Sequence, residues 1–396
     1  MIRILIVFLL WGQLAAAQNF SALARVDPAR SAITSDRDKL VIDLGLSQPV
    51  PWKVYTLNDP MRLVLDFDQV DWDGLDTGTI SRADQLTSIR AGQGADGWSR
   101  LVLALDAPLG VSRAGMRIDD VTGTATLVID AAPVSADLFA ATARAEPGLP
   151  ATAAMPSAPK VDGPLVVVID PGHGGIDPGA LRDGIVEADL MLQLGREVAE
   201  GLNRAGGIKA VLTRDEDIFV PLAARMTIAR AAGADLLISL HADALEKDLA
   251  QGASVYTLTE EASDGAAQRM AERHGREDLV SGLDLTGQDD RVATVLMELA
   301  RAETAPASNR FATALVAGMR DAGVRLNSVP RRQGPLAVLN ATDFPSVLLE
   351  AGFLSSSEDR ATLTSAAGRA AFVSGITDAV LIWAVEEEML EPLKRN

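Results

Sequence analysis

From residue 164 onward, short apolar runs alternate with helical patterns, and that rhythm restricts the fold more than any other feature of the chain. The runs are LVVVID (165–170), KAVLT (209–213), DLLISL (235–240), ASVYTL (253–258), LAVL (336–339) and SVLLE (346–350). Between the first two, Leu190, Leu194, Val198 and Leu202 recur every four residues, a helix stripe that ends near Gly206 and Gly207. Pro221 opens another helix and Gly233 closes it. Strands joined through helices need crossover connections, so the expected fold is α/β: a mostly parallel sheet with helices on both faces. One interval, 259–334, is far longer than a crossover requires. Val292, Val295, Leu296 and Leu299 mark an amphipathic helix within it. Ala312, Leu315, Val316 and Met319 mark a second, with Ser308 as its cap. The second serves as the crossover, and residues 259–305 are surplus.

The region ahead of this domain has a different grammar. Residues 18–132 carry KLVIDL (39–44), RLVLDF (62–67), RLVLAL (100–105) and ATLVID (125–130), with turn formers such as Asn58, Asp59 and Pro60 between them. They predict a small antiparallel β-sandwich. Residues 133–163 are rich in Ala and Pro with little to bury, which reads as a linker that would hold the domains about 30 Å apart. At the start, Arg3, an apolar block from Ile4 to Trp11 and Ala15, Ala16 and Ala17 before Gln18 form a secretory signal peptide over residues 1–17. No twin arginine is present, so the general export route is expected. No second long apolar segment is evident, which argues against stable membrane insertion. The formal net charge of -18 would repel nucleic acid and anionic membranes. The chain has no cysteine, which removes thiolate metal sites and leaves His, Asp and Glu as ligands. Export without cysteines fits a bacterial periplasm.

In open parallel sheets, ligands bind beyond the carboxyl ends of the strands. Three polar residues stand there: His173 after the first strand, His241 directly after LISL, and Glu350 at the end of SVLLE. The chain has only three histidines. Glu187 lies just ahead of the Leu190 stripe, in a first helical turn whose dipole suits a carboxylate. Two imidazoles and one carboxylate, with water completing the set, is a common catalytic zinc arrangement, and other divalent metals remain compatible with it. The glycines around His173 would let the backbone turn tightly and keep a metal open to substrate. Glu350, taken alone, also fits a helix cap.

These residues carry a resemblance. DPGHGGIDPGA, the glutamate before LML, SLHAD and PSVLLEAGF resemble, in order and spacing, the zinc-dependent N-acetylmuramoyl-L-alanine amidases of the cell-separation type, over about 164–385. Residues 18–132 look like the AMIN domain that precedes such enzymes, mainly through LNDPMRLVLDF. Ala188 and Ser356 depart from the family pattern, where Lys and Asn are expected. The resemblance implies one zinc ion held by His173, Glu187 and His241, with Glu350 as the catalytic carboxylate. It implies peptidoglycan as substrate, cut between N-acetylmuramic acid and L-alanine, with the AMIN-like domain targeting the wall or septum. It further implies that the insert 259–305 occludes the zinc until a LytM-type activator displaces it. His274 or Glu277 would then be the resting ligand, and the stripe Val292, Val295, Leu296 and Leu299 the activator surface. A decorative hairpin and a solvated helix face compete with these regulatory roles. Two rivals share the first shell: a zinc peptidase cutting the stem peptide, and an inactive wall-binding protein. Trp52, Trp72 and Trp98 in the sandwich are expected to be core more than sugar-stacking platforms.

Overall fold

The computed structural model describes residues 23–68, 70–72, 75–93, 98–119, 121–144, 163–244, 251–280, 291–340 and 343–394, without the side chains of 273–280, 291–303 and 391–394. The expected signal peptide, residues 1–17, and residues 145–162 of the expected linker lie outside the described residues.

The second half of the chain builds a six-stranded sheet. Its spatial order is Ile208–Leu212, Leu165–Pro171, Leu236–His241, Ser346–Glu350, Ala253–Leu258, Leu326–Gly334. The first four strands are mutually parallel, and Ala253–Leu258 pairs antiparallel with Ser346–Glu350. The sheet is therefore largely parallel, with its last two strands reversed. Because side chains alternate along a strand, each central strand feeds two cores. Val167, Ile169, Leu236, Ile238, Leu240, Val347 and Leu349 pack with Leu190, Met191, Leu194, Val198 and Leu202 of helix Glu187–Ala205 and with two later helices. Val166, Val168 and Leu237 face Met226 and Ala229 of helix Leu222–Ala232.

Three local expectations need correction. LAVL (336–339) is a short 3-10 helix, Ala337–Leu339, and the sixth strand is instead Leu326–Gly334, sequence LNSVPRRQG. That strand lies at the sheet edge, where a proline and charged side chains are tolerated, so it lacks the apolar signature of a central strand. The two helices expected on either side of Ser308 are one continuous helix, Arg291–Asp321, with Pro306 inside it. Ser308 does not cap; its hydroxyl donates to the Thr304 carbonyl and accepts from the Ser346 amide, tying the helix to the sheet. Finally, Ala366–Leu390 is long and apolar enough by composition to cross a membrane, with a mean hydropathy of 1.3. One face of that helix (Phe372, Ile376, Ala379, Val380 and Trp383) is core, while Leu381, Ile382, Val385 and Met389 are exposed.

The first half is a two-sheet sandwich. Five strands run in the order Val70–Asp71, Ala24–Asp36, Lys39–Leu46, Ala125–Pro133, Leu109–Ile118, and four in the order Trp52–Leu57, Arg62–Phe67, Ser99–Leu105, Leu86–Gln93. Trp52 is core, and Trp72 meets Phe67 edge to face. Trp98 is half-buried, with the Lys53 ammonium 4.0 Å from its ring centroid.

The described part of the expected linker contains a helix, and the domains are not held apart. Within 133–163, Ser135 caps a helix, Ala136–Thr142, whose Phe139 is buried in the sandwich core. That same core takes in Ile218, Val220, Ala224 and Ile228 from the second domain. Helix Leu222–Ala232 is thus apolar on two faces, Met226 and Ala229 toward the sheet and Ala224 and Ile228 toward the sandwich. A helix buried on both sides fastens its neighbours together.

Candidate metal centre

The first strand ends in Asp170 and Pro171, and the backbone then folds sharply. His173 itself adopts a left-handed conformation, φ 59°. For a residue with a Cβ this costs about 1–2 kcal/mol and needs outside support. Two buried arginines supply it. Arg225 donates to the His173 carbonyl at 2.7 Å, the Pro171 carbonyl at 2.7 Å and Asp170 Oδ1 at 2.8 Å. Arg214 donates to the carbonyls of Pro171 at 3.0 Å and of Gly172 and Ala188 at 2.8 Å each. Asp170 receives further donations from Thr213 at 2.5 Å and Ser239 at 2.9 Å. Burial alone would raise the Asp170 carboxyl, but the Arg225 charge and these hydrogen bonds outweigh it and hold it below its ordinary range. Burial, joined by Arg225, brings the Arg214 guanidinium down to about 10.

Three distant segments converge here. His173, Glu187 and His241 place one donor atom each within 4.8 Å of one another. All three are buried. Glu187 Oε1 lies 3.2 Å from His173 Nε2 and 3.2 Å from His241 Nδ1, and the two rings meet edge to face with centroids 4.9 Å apart. Glu187 is further fixed by amides, Ala180 donating to Oε2 at 2.8 Å and Ala242 to Oε1 at 2.9 Å. Two glycines are required by space. A Cβ on Gly172 would sit 2.4 Å from His241 Cε1, and one on Gly179 would sit 2.6 Å from His173 Cδ2.

The fourth residue read from the sequence, Glu350, lies beside the cluster. Parallel register pairs it directly with His241, and it is fully buried with its Oε2 accepting from the Asp243 amide at 3.1 Å. Tyr256 lies close by; burial first and then the Glu350 charge push its phenol up. Of the regulatory residues, His274 and Glu277 fall within helix Gly265–Val280, and Val292, Val295, Leu296 and Leu299 within Arg291–Asp321. Their side chains lie outside the described residues.

Sequence reasoning missed Asp177, whose Oδ2 lies 2.8 Å from His173 Nδ1. An Nδ1–H donated to Asp177 makes Nε2, on the side of Glu187, the ring nitrogen whose lone pair could hold a metal. The spacing of four residues from His173 to Asp177 was the available signal, masked because aspartate in a glycine-rich turn reads as a turn former. The electrostatics describe a pocket built for a cation. Burial would lower the His173 imidazole, yet the Glu187 charge and the hydrogen bonds to Asp177 and Glu187 push it up to about 11. Glu187 is correspondingly held well below the carboxylate range, its burial outweighed by both imidazoles. Two nitrogens and one oxygen, buried, convergent and without sulfur, fit zinc with an open position.

Comparison with known proteins adds a second kind of observation. A family described as N-acetylmuramoyl-L-alanine amidase matches residues 167–381, more than half of the 396-residue chain. The AMIN domain matches residues 32–131. N-acetylmuramoyl-L-alanine amidase AmiA of Escherichia coli (strain K12) is 37% identical over 228 residues, 57% of this chain and 78% of that protein. N-acetylmuramoyl-L-alanine amidase AmiC of Neisseria meningitidis serogroup B is 30% identical over 372 residues, 86% of this chain and 85% of that protein. An AmiC of Escherichia coli O6:H1 is 29% identical over 367 residues, 88% of this chain and 87% of its own length.

Proposed function

Because the chain belongs to the N-acetylmuramoyl-L-alanine amidase family, we propose that it cuts the amide between N-acetylmuramic acid and the L-alanine of the stem peptide through the centre formed by His173, Glu187, His241 and Glu350. The observation that carries this is the meeting of three donor atoms from three segments within 4.8 Å, beside a second buried carboxylate, Glu350. His173, Glu187 and His241 would hold zinc. Once bound there, zinc supplies Lewis acidity, polarising an amide carbonyl and making water acidic enough to ionise near pH 7. Asp177 keeps His173 in the tautomer that presents Nε2. Glu350 takes a proton at its carboxylate and returns it to the departing L-alanine amine. Its seat next to His241, held by the Asp243 amide, keeps that carboxylate within the same pocket. The products are a glycan strand freed of its stem and a peptide with a free amine.

The wider role follows as part of the same proposal. Export through residues 1–17 would bring the enzyme to the periplasm, where hydrolysis of peptidoglycan serves daughter-cell separation. The insert would restrain the site until a LytM-type activator displaces it. Strand Ala253–Leu258 runs opposite to Ser346–Glu350, so the chain leaves Leu258 at the edge away from Glu350. Helix Gly265–Val280 begins near that edge, where Ala267 packs close to Gly334. His274 and Glu277 belong to the later turns of that helix, beyond Ala267.

Dye release from labelled sacculi, with mass spectrometry of the released muropeptides, tests the reaction. Activity should disappear with a chelator, return with zinc, and fall at least about a hundredfold in Glu350→Gln. Products cut within the stem peptide would point to a peptidase, and activity that survives the chelator would defeat the metal assignment.

A further inference from the structure

One short segment, 214–220, lies between the two domains and touches the metal loop on its inner side. Asp217 Oδ1 accepts from the Gly175 amide at 2.7 Å. The fit around it leaves no slack, since a Cβ on Gly174 would lie 2.4 Å from the Ile218 carbonyl oxygen and one on Gly175 2.5 Å from the Phe219 nitrogen. Arg214, at the start of the segment, donates to the carbonyls of Pro171 and Gly172. The loop bearing His173 is therefore gripped by this segment at several consecutive residues.

On its outer side the segment belongs to the sandwich. Phe219 and Met116 exchange both backbone hydrogen bonds, at 2.9 and 3.1 Å, adding a one-residue bridge to strand Leu109–Ile118. Ile218 and Val220 are buried in the sandwich core. Ile218 fills the space over Gly115, where a Cβ would lie 2.3 Å from its Cδ1. Glu216 pairs with Arg113 at 2.7 Å and Arg117 at 2.5 Å.

We propose that segment 214–220 is a positioning element of the metal centre and that the β-sandwich, by clamping its outer side, helps hold His173 in its strained conformation. The sandwich is then a structural part of the catalytic unit as well as an adaptor. Asp217 is the positioning residue that passes the constraint to Gly175. The proposal rests on the three-ligand reading of the metal site, and the test separates the two.

Four full-length variants decide it: Gly115→Val, which wedges Ile218 outward; Glu216→Arg, which replaces the ion pairs to Arg113 and Arg117 with like-charge repulsion; and Asp217→Ala with Asp217→Asn. Zinc affinity is measured by competition with a chromophoric chelator, and amide hydrogen exchange is followed at Gly174, Gly175, Met116 and Phe219. Gly115→Val, Glu216→Arg and Asp217→Ala should each weaken zinc binding about tenfold or more and speed exchange at Gly174 and Gly175. Asp217→Asn keeps an acceptor oxygen and should stay within about threefold of the parent. Faster exchange at Met116 and Phe219, with zinc affinity and the Gly174 and Gly175 amides unchanged, would overturn the proposal. So would unchanged loop exchange in all of the variants. A parent chain that binds no zinc would defeat the ligand assignment instead, and exchange at Gly174 and Gly175 would then decide the coupling by itself.

Discussion

Asp170 shows how much of the candidate metal site is built below the three residues that would hold the ion. Its carboxylate joins Arg225, Thr213 and Ser239 beneath the loop, and the arginine in turn holds the carbonyls that shape His173. Replacing it by Asn leaves Arg225 buried without its counter-charge, so Asp170→Asn should lower stability by about 3–5 kcal/mol, measured by denaturant unfolding. The pH dependence has a definite sign. A carboxyl whose folded pKa is depressed contributes fully above its unfolded value near 3.9 and loses that contribution as pH falls toward the folded value. The parent should therefore lose stability more steeply than Asp170→Asn below about pH 4, as followed by thermal melts. Asp177→Ala should weaken zinc binding about 10–100-fold while leaving the fold intact, since it orients a ligand without being one. His173, Glu187, His241 and Glu350 were legible because strand ends and a helix start announce them. Arg214 and Arg225 were not, because an arginine in sequence looks solvent-exposed, and only the fold shows carbonyl oxygens converging on it.

Among the elements, helix Gly265–Val280 carries the clearest lesson about boundaries. Residue spacing marked 259–305 as surplus, yet Ala267 and Met270 are fully buried with Tyr256, Leu348 and Phe353. Truncating Met270 to Ala should cost about 2–5 kcal/mol, which chemical denaturation will register. Excising the whole insert would remove that core. The excision that tests restraint is narrower, 274–300 closed by a short Gly/Ser linker. It should raise activity without an activator while the unfolding temperature holds. A folded excision variant with parental activity would show that the insert imposes no restraint. Central strands were readable as apolar runs; edge strand Leu326–Gly334 was not, since its exposed side demands polar residues. Loop length alone cannot tell an appendage from a helix that closes a satellite core.

Between the two domains, residues 133–163 resemble an open linker for a reason of the same kind. Their composition offers few large apolar residues, but Phe139 of helix Ala136–Thr142 is buried in the sandwich core, and that core also takes in Ala224 and Ile228 of helix Leu222–Ala232 far downstream. No local pattern reveals that a helix is apolar on both faces for two different partners. Because the sandwich core includes Ile218, Val220, Ala224 and Ile228, the full chain should melt in one calorimetric transition. Gly115→Val should resolve that transition into two. The doubly buried helix also constrains how such proteins diversify. A β-sandwich that has surrendered part of its interior to its neighbour can no longer be traded between enzymes like a bead on a string. Its contact side must drift in step with the hydrolase, while its opposite side stays free to adapt to new surfaces.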